Sequence, residues 1–309
     1  MNKLFLAAFV ACALLSAGTA LAQKKPHCTV VVASDLHFDM PPETDQFHHV
    51  VAINALGKTQ KIDAVLLTGD IFDKAHPLIQ ALYRQRWEPG AGLRRIHYPV
   101  FPAYGNHDIS PESGRPLENK RGYELNMAYM DSVLNAKKQR GEILNVDPSS
   151  RSYSFNIGGV HFVQGQLAAG DTSYCKSNFA WLEADLQRYA SKGQPVVYLQ
   201  HYGVDDWALQ WWTKEQRSRL FTLLSRYNLA AFFVGHTHQA SLQYYQGVPV
   251  VQVNNAWNDS DGKASFMLLK VDGNHATIEN YEVEDGRGHT RLLQPVLRAT
   301  MPVIAQTGK

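Results

Sequence analysis

Short apolar runs alternate with longer stretches of helical spacing along most of the chain. Continuous apolar runs, which are typical of strands buried on both faces, stand at 28–34, 63–68, 98–104, 195–200 and 229–234. Apolar residues at the spacing of one helix face predict helices at 43–56, from 77 onward, and at 123–134, 178–189 and 214–227. A repeated alternation of strand and helix indicates an α/β fold.

The remaining segments predict a loop, a hairpin and a strand meander. Residues 109–122 are rich in Pro, Ser, Gly and charge, which is typical of a loop. Residues 152–166 predict a hairpin that turns at Gly158-Gly159, and residues 241–283 are mostly alternating strand. The tail after Gly288 shows no clear pattern. The whole order predicts α/β with mixed sheets (α+β mixed).

Composition adds size and charge to this picture. With 309 residues, of which 45% are hydrophobic, the chain is long enough for a large core. The net charge of +2 gives no strong electrostatic footprint for a nucleic-acid polymer, so none is expected as a partner. Neither an internal repeat nor a Pro/Ser-rich linker divides the sequence, which predicts one domain over residues 23–309.

Residues 1–22 have the pattern of a secretory signal peptide. Lys3 provides the positive start, residues 4–15 are apolar but too short to span a bilayer, and Ala20-Leu21-Ala22 resembles a cleavage site. An uncleaved anchor is the alternative, but it needs a longer apolar run. No later segment of the sequence predicts a transmembrane helix, so the mature chain is expected to be periplasmic or secreted.

Cleavage of the signal would leave two cysteines, Cys28 and Cys175. An oxidising compartment and an even count permit one disulfide, and two separate buried thiols are the alternative. Sequence alone gives no distance between the two positions, so both alternatives stand.

Side chains with metal-binding atoms follow all five predicted buried strands. In chain order they are Asp35 and His37, Asp70, Asn106 and His107, His201, and finally His236 and His238. The carboxyl ends of strands form the binding crevice in open α/β sheets, so these groups are expected to meet. Each alone has an ordinary interpretation, such as a surface turn, a helix cap or a core histidine, but their common placement favours one site.

The predicted ligands are carboxylate, amide and imidazole groups, without a thiolate. Such a mixture suits Mn, Fe or Zn, and it differs from the usual structural zinc site. The set is large enough to hold two metal ions about 3.5–4 Å apart, with one carboxylate shared between them. We therefore expect two divalent or trivalent metal ions, whose identity the sequence leaves open.

Five motifs in this order resemble the calcineurin-like metallophosphoesterase superfamily. They are Asp35-x-His37, Gly69-Asp70-x-x-Asp73, Gly105-Asn106-His107-Asp108, His201 and Gly235-His236-Thr237-His238. The resemblance spans most of the mature chain. It implies a four-layer sandwich of two mixed β-sheets flanked by helices, with a dimetal site at the carboxyl ends of the strands.

The resemblance also implies a role for each motif residue. One metal ion would be held by Asp35, His37 and His238, the other by Asn106, His201 and His236, with Asp70 as the bridge. His107 would contact the substrate phosphate and the leaving group, and Asp108 would steady it. Asp73 would lie around the ligand residues without binding a metal ion itself.

Two subgroups of the superfamily fit less well. Purple acid phosphatases have a metal-binding tyrosine where Asp73 stands. Protein Ser/Thr phosphatases have an arginine and a glutamate where Tyr104 and Asp108 stand. The remaining resemblance is to bacterial phosphomonoesterases and phosphodiesterases.

The implied function is hydrolysis of a small phosphoester by a metal-bound hydroxide, with His107 assisting departure of the leaving group. A non-catalytic metal-binding module that retains the fold is the alternative. Such a module would be free to lose ligands, yet none is missing. Histidines that match no motif are expected to be structural or exposed: His48, His49, His76, His97, His161 and His275.

An aromatic segment directly follows His201 and includes Tyr202, Trp207, Trp211 and Trp212. Aromatic rings beside a dimetal centre suit a nucleobase, a sugar or a lipid headgroup. Tyr202 and Trp207 are nearer to His201, so they are the expected substrate contacts, whereas core packing is an equal alternative for the other two. Whether the substrate is a monoester or a diester stays open.

Overall fold

The computed structural model describes residues 25–38, 43–73, 76–109, 120–170, 176–258 and 262–301. The predicted signal peptide over residues 1–22 lies outside these ranges, as do Cys175 and most of the loop predicted at 109–122. Signal cleavage therefore stays a prediction. None of the helices within the described ranges is long and apolar enough to pass through a bilayer.

Helices occupy the stretches where apolar residues recur at helical spacing. The α-helices of the described ranges are α1 (Glu43–Leu56), α2 (Pro77–Trp87), α3 (Asn106–Ile109), α4 (Lys120–Gln139), α5 (Phe179–Tyr189) and α6 (Lys214–Leu224), and a short 3-10 helix covers Ala208–Gln210. Local chemistry sets some of their starts. Pro77 stands in the first turn of α2, and Thr213 and Gln216 form a capping box at the start of α6.

Most of the strands follow the predicted apolar and alternating runs, whereas four lie outside them: Asn145–Val146, Ala168–Gly170, Lys176–Asn178 and Thr290–Thr300. They are β1 (His27–Ala33), β2 (Ala64–Leu67), β3 (Val100–Phe101), β4 (Asn145–Val146), β5 (Tyr153–Ile157), β6 (Val160–Gln164), β7 (Ala168–Gly170), β8 (Lys176–Asn178), β9 (Pro195–Leu199), β10 (Asn228–Val234), β11 (Ser241–Tyr245), β12 (Val248–Gln252), β13 (Ser265–Asp272), β14 (His275–Val283) and β15 (Thr290–Thr300).

Two large mixed sheets carry most of these strands. The first has six strands in the order β15-β14-β13-β1-β2-β3, and the second has seven in the order β11-β12-β10-β9-β6-β5-β4. In the first, β1, β2 and β3 are parallel neighbours, while β13 pairs with β1 in the antiparallel sense. In the second, β6, β9 and β10 are parallel neighbours. Each sheet therefore offers a group of strand carboxyl ends at one edge.

The two sheets pack face to face and share a core. The ring of Phe101 in the first sheet stacks on that of Phe155 in the second at a centroid distance of 3.8 Å. The buried Nε2 of Gln164 donates to the backbone oxygens of Leu67 and Phe101, at 3.0 Å each, so that a polar side chain between the sheets has acceptors.

Helices flank this pair of sheets. On the second sheet, buried His161 of β6 lies 2.9 Å from Asp185 of α5, whose carboxylate also accepts from Ser154 of β5. On the first sheet, Gln60, which follows α1, donates to the Tyr281 hydroxyl of β14. The predicted α/β fold of two mixed sheets flanked by helices is confirmed.

The structure adds a strand in the tail that the sequence did not predict. The tail without a clear pattern forms β15, an edge strand paired with β14. Its mixed sequence includes Pro295, which an edge strand tolerates because one side of its backbone needs no partner. Cys28 is buried, and burial raises the pKa of its thiol to about 12. Its possible partner Cys175 lies outside the described residues, so the disulfide stays a prediction.

Candidate dimetal site

The predicted ligands come from the carboxyl ends of five strands in two sheets. Asp35 and His37 follow β1, Asp70 follows β2, Asn106 opens α3 after β3, His201 follows β9, and His236 and His238 follow β10. Because β1 to β3 are neighbours in one sheet and β9 and β10 are neighbours in the other, these ends face each other across the sandwich. The structure brings all seven residues together.

Asp70 lies at the centre of the cluster. Its Oδ2 atom is 3.4 Å from Nε2 of His37 and 3.3 Å from Nε2 of His201. Its Oδ1 atom accepts a hydrogen bond of 2.9 Å from the backbone N–H of His107. One carboxylate oxygen therefore lies between imidazoles of the two ligand halves, which is the position that a bridging ligand requires.

The outer ligands complete two groups around that oxygen. In the first group, Asp35 Oδ1 lies 3.3 Å from His238 Nε2 and 3.9 Å from His37 Nε2. In the second, Asn106 Oδ1 lies 3.0 Å from His201 Nε2, and an atom of His236 falls within the same cluster. Both groups contain Asp70.

The chemistry of these donors fits metal ions. Buried imidazoles and carboxylates without thiolate match the ligands that Mn, Fe and Zn accept. Among the described residues, Nε2 of His236 is a buried atom with no hydrogen-bond partner. Buried polar atoms are almost always satisfied, so a lone nitrogen beside a carboxylate cluster suits a metal ligand. The residues present therefore fit a dimetal centre.

Strained backbone marks the same residues. The φ angles of Asp35 (50°), His37 (41°), Asp70 (48°), His236 (85°) and His238 (57°) all lie in the left-handed region. That region costs a residue other than glycine roughly 1–3 kcal/mol, and it persists only where the surrounding structure requires it. Five of the seven predicted ligands share this strain, which concentrates it at the site.

Two motif glycines allow the ligand turns to approach closely. A Cβ atom at Gly105 would overlap the carboxylate of Asp70, and one at Gly235 would overlap Ser34 and crowd Asp35. The Ser34 hydroxyl itself donates to Asp35 Oδ2, and Thr68 donates to Ser34. This chain of hydroxyl groups fixes the orientation of the Asp35 carboxylate.

Electrostatics at the site couples the carboxylates to positive charge. Burial would raise the pKa of Asp70, but the His201 and His37 imidazoles hold it well below its usual range. Burial opposes a charge on His201, yet the Asp70 carboxylate raises the pKa of His201 to about 9. Burial and the charge on His201 lower the pKa of His236 to about 3.

His107 lies at the rim of this cluster. Its side chain is 27% exposed, and its Nδ1 lies 3.2 Å from Asp73 Oδ1. The ring centroid is 4.6 Å from that of His37. His107 is therefore close enough to the predicted metals to meet a substrate, and its outer nitrogen is free of the Asp73 contact.

Asp108 does not orient His107, and that expectation is corrected. Its buried carboxylate accepts backbone N–H groups of Gly105 at 2.7 Å, Phe72 at 2.8 Å and Ile71 at 3.2 Å. Asp108 thus ties the turn after β2 to the turn after β3. The carboxylate next to the His107 ring is that of Asp73. The family resemblance implied for Asp73 only a position around the metal ligands.

The aromatic segment after His201 divides into exposed and buried rings. Trp207 is 52% exposed and stacks on His236 at 4.3 Å, with 15° between the ring planes. Tyr202 is only 4% exposed and packs against His236 and Trp211. The expected substrate contact of Tyr202 is therefore corrected, since this ring is covered. Trp212 is a core residue whose Nε1 donates to Ala169.

One aromatic neighbour of the site was missed. Trp257 is buried and presents its ring at 5.1 Å to both His37 and His238, at angles near perpendicular. It lies on the loop after β12, close to Asp35, whose backbone oxygen accepts from Ala256. A tryptophan outside every motif carries no signal of its own, so only the fold reveals it.

The histidines outside the motifs belong to none of the candidate ligand groups among the described residues. His161 is paired with Asp185, and His49 is buried between Trp87 and Phe266. His76 caps α2, and His97 and His275 are exposed.

Comparison with known proteins identifies similar chains. A protein 26% identical over 255 residues, covering 76% of this chain and 67% of the relative, is named a probable cyclic nucleotide phosphodiesterase of Psychrobacter sp. (strain PRwf-1). Another of that name from Psychrobacter arcticus is 24% identical over 240 residues, covering 72% of this chain and 77% of the relative. A dimetal phosphatase from Danio rerio has a similar fold, with a TM-score of 0.56, 13% identity and coverage of 90% of this chain and 100% of that one.

The family is settled by a match over most of the chain. The family model described as calcineurin-like phosphoesterase matches residues 28–240, which include every motif from Asp35 to His238. The chain belongs to the calcineurin-like phosphoesterase family.

Proposed function

We propose that this protein is a dimetal-dependent phosphoester hydrolase whose substrates are phosphodiesters. The observation that carries the proposal is the position of Asp70 Oδ2 between His37 and His201, where one oxygen serves both ligand groups. The names of the two Psychrobacter relatives support a diester substrate, and the complete ligand set argues against a non-catalytic module.

The residues of this chain have separate tasks in the proposed reaction. Two bound metal ions would supply Lewis-acid stabilisation of charge on the phosphoryl oxygens. A water molecule gives up one proton to solvent as its oxygen forms the new bond to phosphorus, and the bond from phosphorus to the leaving oxygen breaks. His107 donates a proton to that leaving oxygen, and Asp73 stabilises the charged, correctly oriented imidazole.

Removal of metal is expected to abolish turnover of bis(p-nitrophenyl) phosphate and to lower the melting temperature. Stability falls because a metal ion that binds only the folded protein stabilises it, by about 2.7 kcal/mol at 100 times its Kd. Turnover and melting are compared before chelation, after chelation and after dialysis against Mn²⁺ or Zn²⁺. Full turnover by protein shown to be metal-free would contradict the proposed function.

We also propose export of the mature chain, on the strength of the pattern in residues 1–22. Intact-mass measurement of the protein recovered from its native host or from a bacterial periplasm is expected to show a chain that begins at Gln23. Recovery of the full-length chain from the membrane fraction would instead support the uncleaved anchor.

A further inference from the structure

The segment of residues 204–212 places an exposed aromatic ring directly against a predicted metal ligand. Trp207 covers the ring of His236 in a nearly parallel stack at 4.3 Å. More than half of Trp207 is nonetheless exposed, so one face of the indole is covered by His236 while the remainder is available to solvent. An exposed tryptophan held flat beside a dimetal centre is suited to a ligand ring.

The neighbouring rings do not form a cage around Trp207. Tyr202 and Trp211 stack on each other at 5.6 Å with 16° between their planes. Trp211 meets Trp207 edge to face, at 75°. A quaternary ammonium group is recognised by several ring faces that converge on it. Here Trp207 alone of these three rings is exposed, which favours a flat ligand.

A buried arginine holds this segment in place. The guanidinium of Arg217, on α6, donates to the backbone oxygens of Trp212, Val204 and Asp205. Asp205 in turn accepts from the backbone N–H of Ala208, at the start of the 3-10 helix. Oxygens on both sides of Trp207 are therefore fixed by one side chain. The planar guanidinium of arginine can donate to several backbone oxygens at once, which a lysine ammonium cannot do in the same geometry.

The distance from Trp207 to the metal ligands matches a nucleotide. Van der Waals contact adds about 3.5 Å to the 4.3 Å stack, so a ring on the outer face would lie about 8 Å from His236. The ribose of a nucleotide spans such a gap between its base and its phosphate. The adjacent Asp205 and Asp206 disfavour an anionic group at the platform, so the phosphate belongs at the metals and a neutral ring belongs on Trp207.

We propose that residues 204–212 form a fixed stacking platform for a nucleobase, with Trp207 as the specificity-determining residue and Arg217 as its positioning residue. The proposal rests on the proposed function for the phosphate end of the ligand. It assigns the substrate class as phosphoesters of nucleosides, recognised through the planar base.

Binding of products tests the platform without requiring turnover. The probes are adenosine 5′-monophosphate and ribose 5-phosphate, which differ by the base alone, titrated calorimetrically into Mn²⁺-loaded protein. Trp207→Ala is expected to weaken binding of the nucleotide roughly 5- to 150-fold, the range for loss of one base stack, and to leave ribose 5-phosphate unchanged. Trp207→Phe is expected to restore part of the nucleotide affinity.

A matched control removes an exposed aromatic ring elsewhere. Tyr244 of β11 is 63% exposed, and Tyr244→Ala is expected to change neither affinity. Metal content of each variant shows whether the centre itself has been disturbed. Equal weakening of both probes by Trp207→Ala, no change in nucleotide binding, or no nucleotide binding by the unaltered protein would overturn the proposal. Stronger dependence of phosphorylcholine binding on Trp207 would also overturn it.

Arg217→Lys tests the positioning role. Lysine keeps the charge but loses the fork, so nucleotide affinity is expected to fall at least severalfold, with ribose 5-phosphate affinity and metal content retained. The near-ultraviolet circular dichroism of the tryptophans should also change in this variant. Unchanged nucleotide affinity would reject the positioning role. Base-dependent binding without any phosphoester turnover would reject the proposed function and leave the platform intact. Turnover without base-dependent binding would reject the platform and leave the proposed function intact.

Discussion

Replacing Asp70 by Asn is expected to lower phosphoester turnover by about a thousandfold or more and to reduce the bound metal. Lewis-acid stabilisation by metal ions supplies several kcal/mol to such reactions, and this substitution would remove it from both metals. The amide can still accept the backbone N–H of His107 through one oxygen. Its NH₂ group then faces Nε2 of His37 and His201, where an uncharged donor cannot bridge two cations.

Metal analysis separates this outcome from unfolding. Purified Asp70→Asn protein is assayed for bound Mn, Fe and Zn by mass spectrometry, for turnover, and for its melting temperature. Asp272→Asn provides the matched control, because that carboxylate is 83% exposed at the end of β13, far along the strand from the site. Retention of both metal and turnover by Asp70→Asn would show that Asp70 is not the bridge.

The ligand positions could be predicted because each follows an apolar run. A buried parallel strand has a distinctive sequence, and its carboxyl end is where such folds place their sites. Asp35 and Asp70 follow runs that become the neighbours β1 and β2, so their proximity needed no tertiary information. The meeting of these residues with His201 and His236 depends on how the second sheet faces the first, and the family resemblance provided that.

Contacts between separate turns could not be predicted in the same way. Asp108 is next to His107 in sequence, but on the short helix α3 its side chain points toward the backbone of Phe72. Residues adjacent in a helix do not face each other, whereas Asp73 reaches His107 from a different strand end. The left-handed φ angles of the ligand residues could not be predicted either, because an Asp or His in a sequence does not indicate that its backbone is strained.

His107→Ala is expected to reduce turnover by roughly two to four decades while both metals stay bound, which is the scale of a general acid. The side chain is partly exposed at the rim, and the substitution leaves the His107 backbone N–H free to donate to Asp70. Bound metal is therefore expected to match that of the unaltered protein. Metal loss comparable to that of Asp70→Asn would make His107 a ligand and would refute this division of roles.

The two neighbouring carboxylates are expected to differ in what they support. Asp73→Asn weakens the charged partner of the His107 ring, so turnover at saturating metal should fall about ten- to a hundredfold with little change in melting temperature. Asp108→Asn replaces one of the two accepting oxygens by an NH₂ donor that faces a backbone N–H group of the buried turns, so it should lower the melting temperature first. Equal loss of stability in both variants would mean that Asp73 is structural as well.

A comparison of two leaving groups tests whether His107 acts as a general acid. Nitrophenolate departs without a proton, whereas the alkoxide of a nucleoside or an alkyl ester needs one as the bond to phosphorus breaks. His107→Ala should therefore slow hydrolysis of an alkyl diester far more than that of bis(p-nitrophenyl) phosphate, and Asp73→Asn should show the same order with smaller effects. A loss that is equal for both esters would assign His107 to binding of the phosphoryl oxygens, because that contact is made whatever group departs.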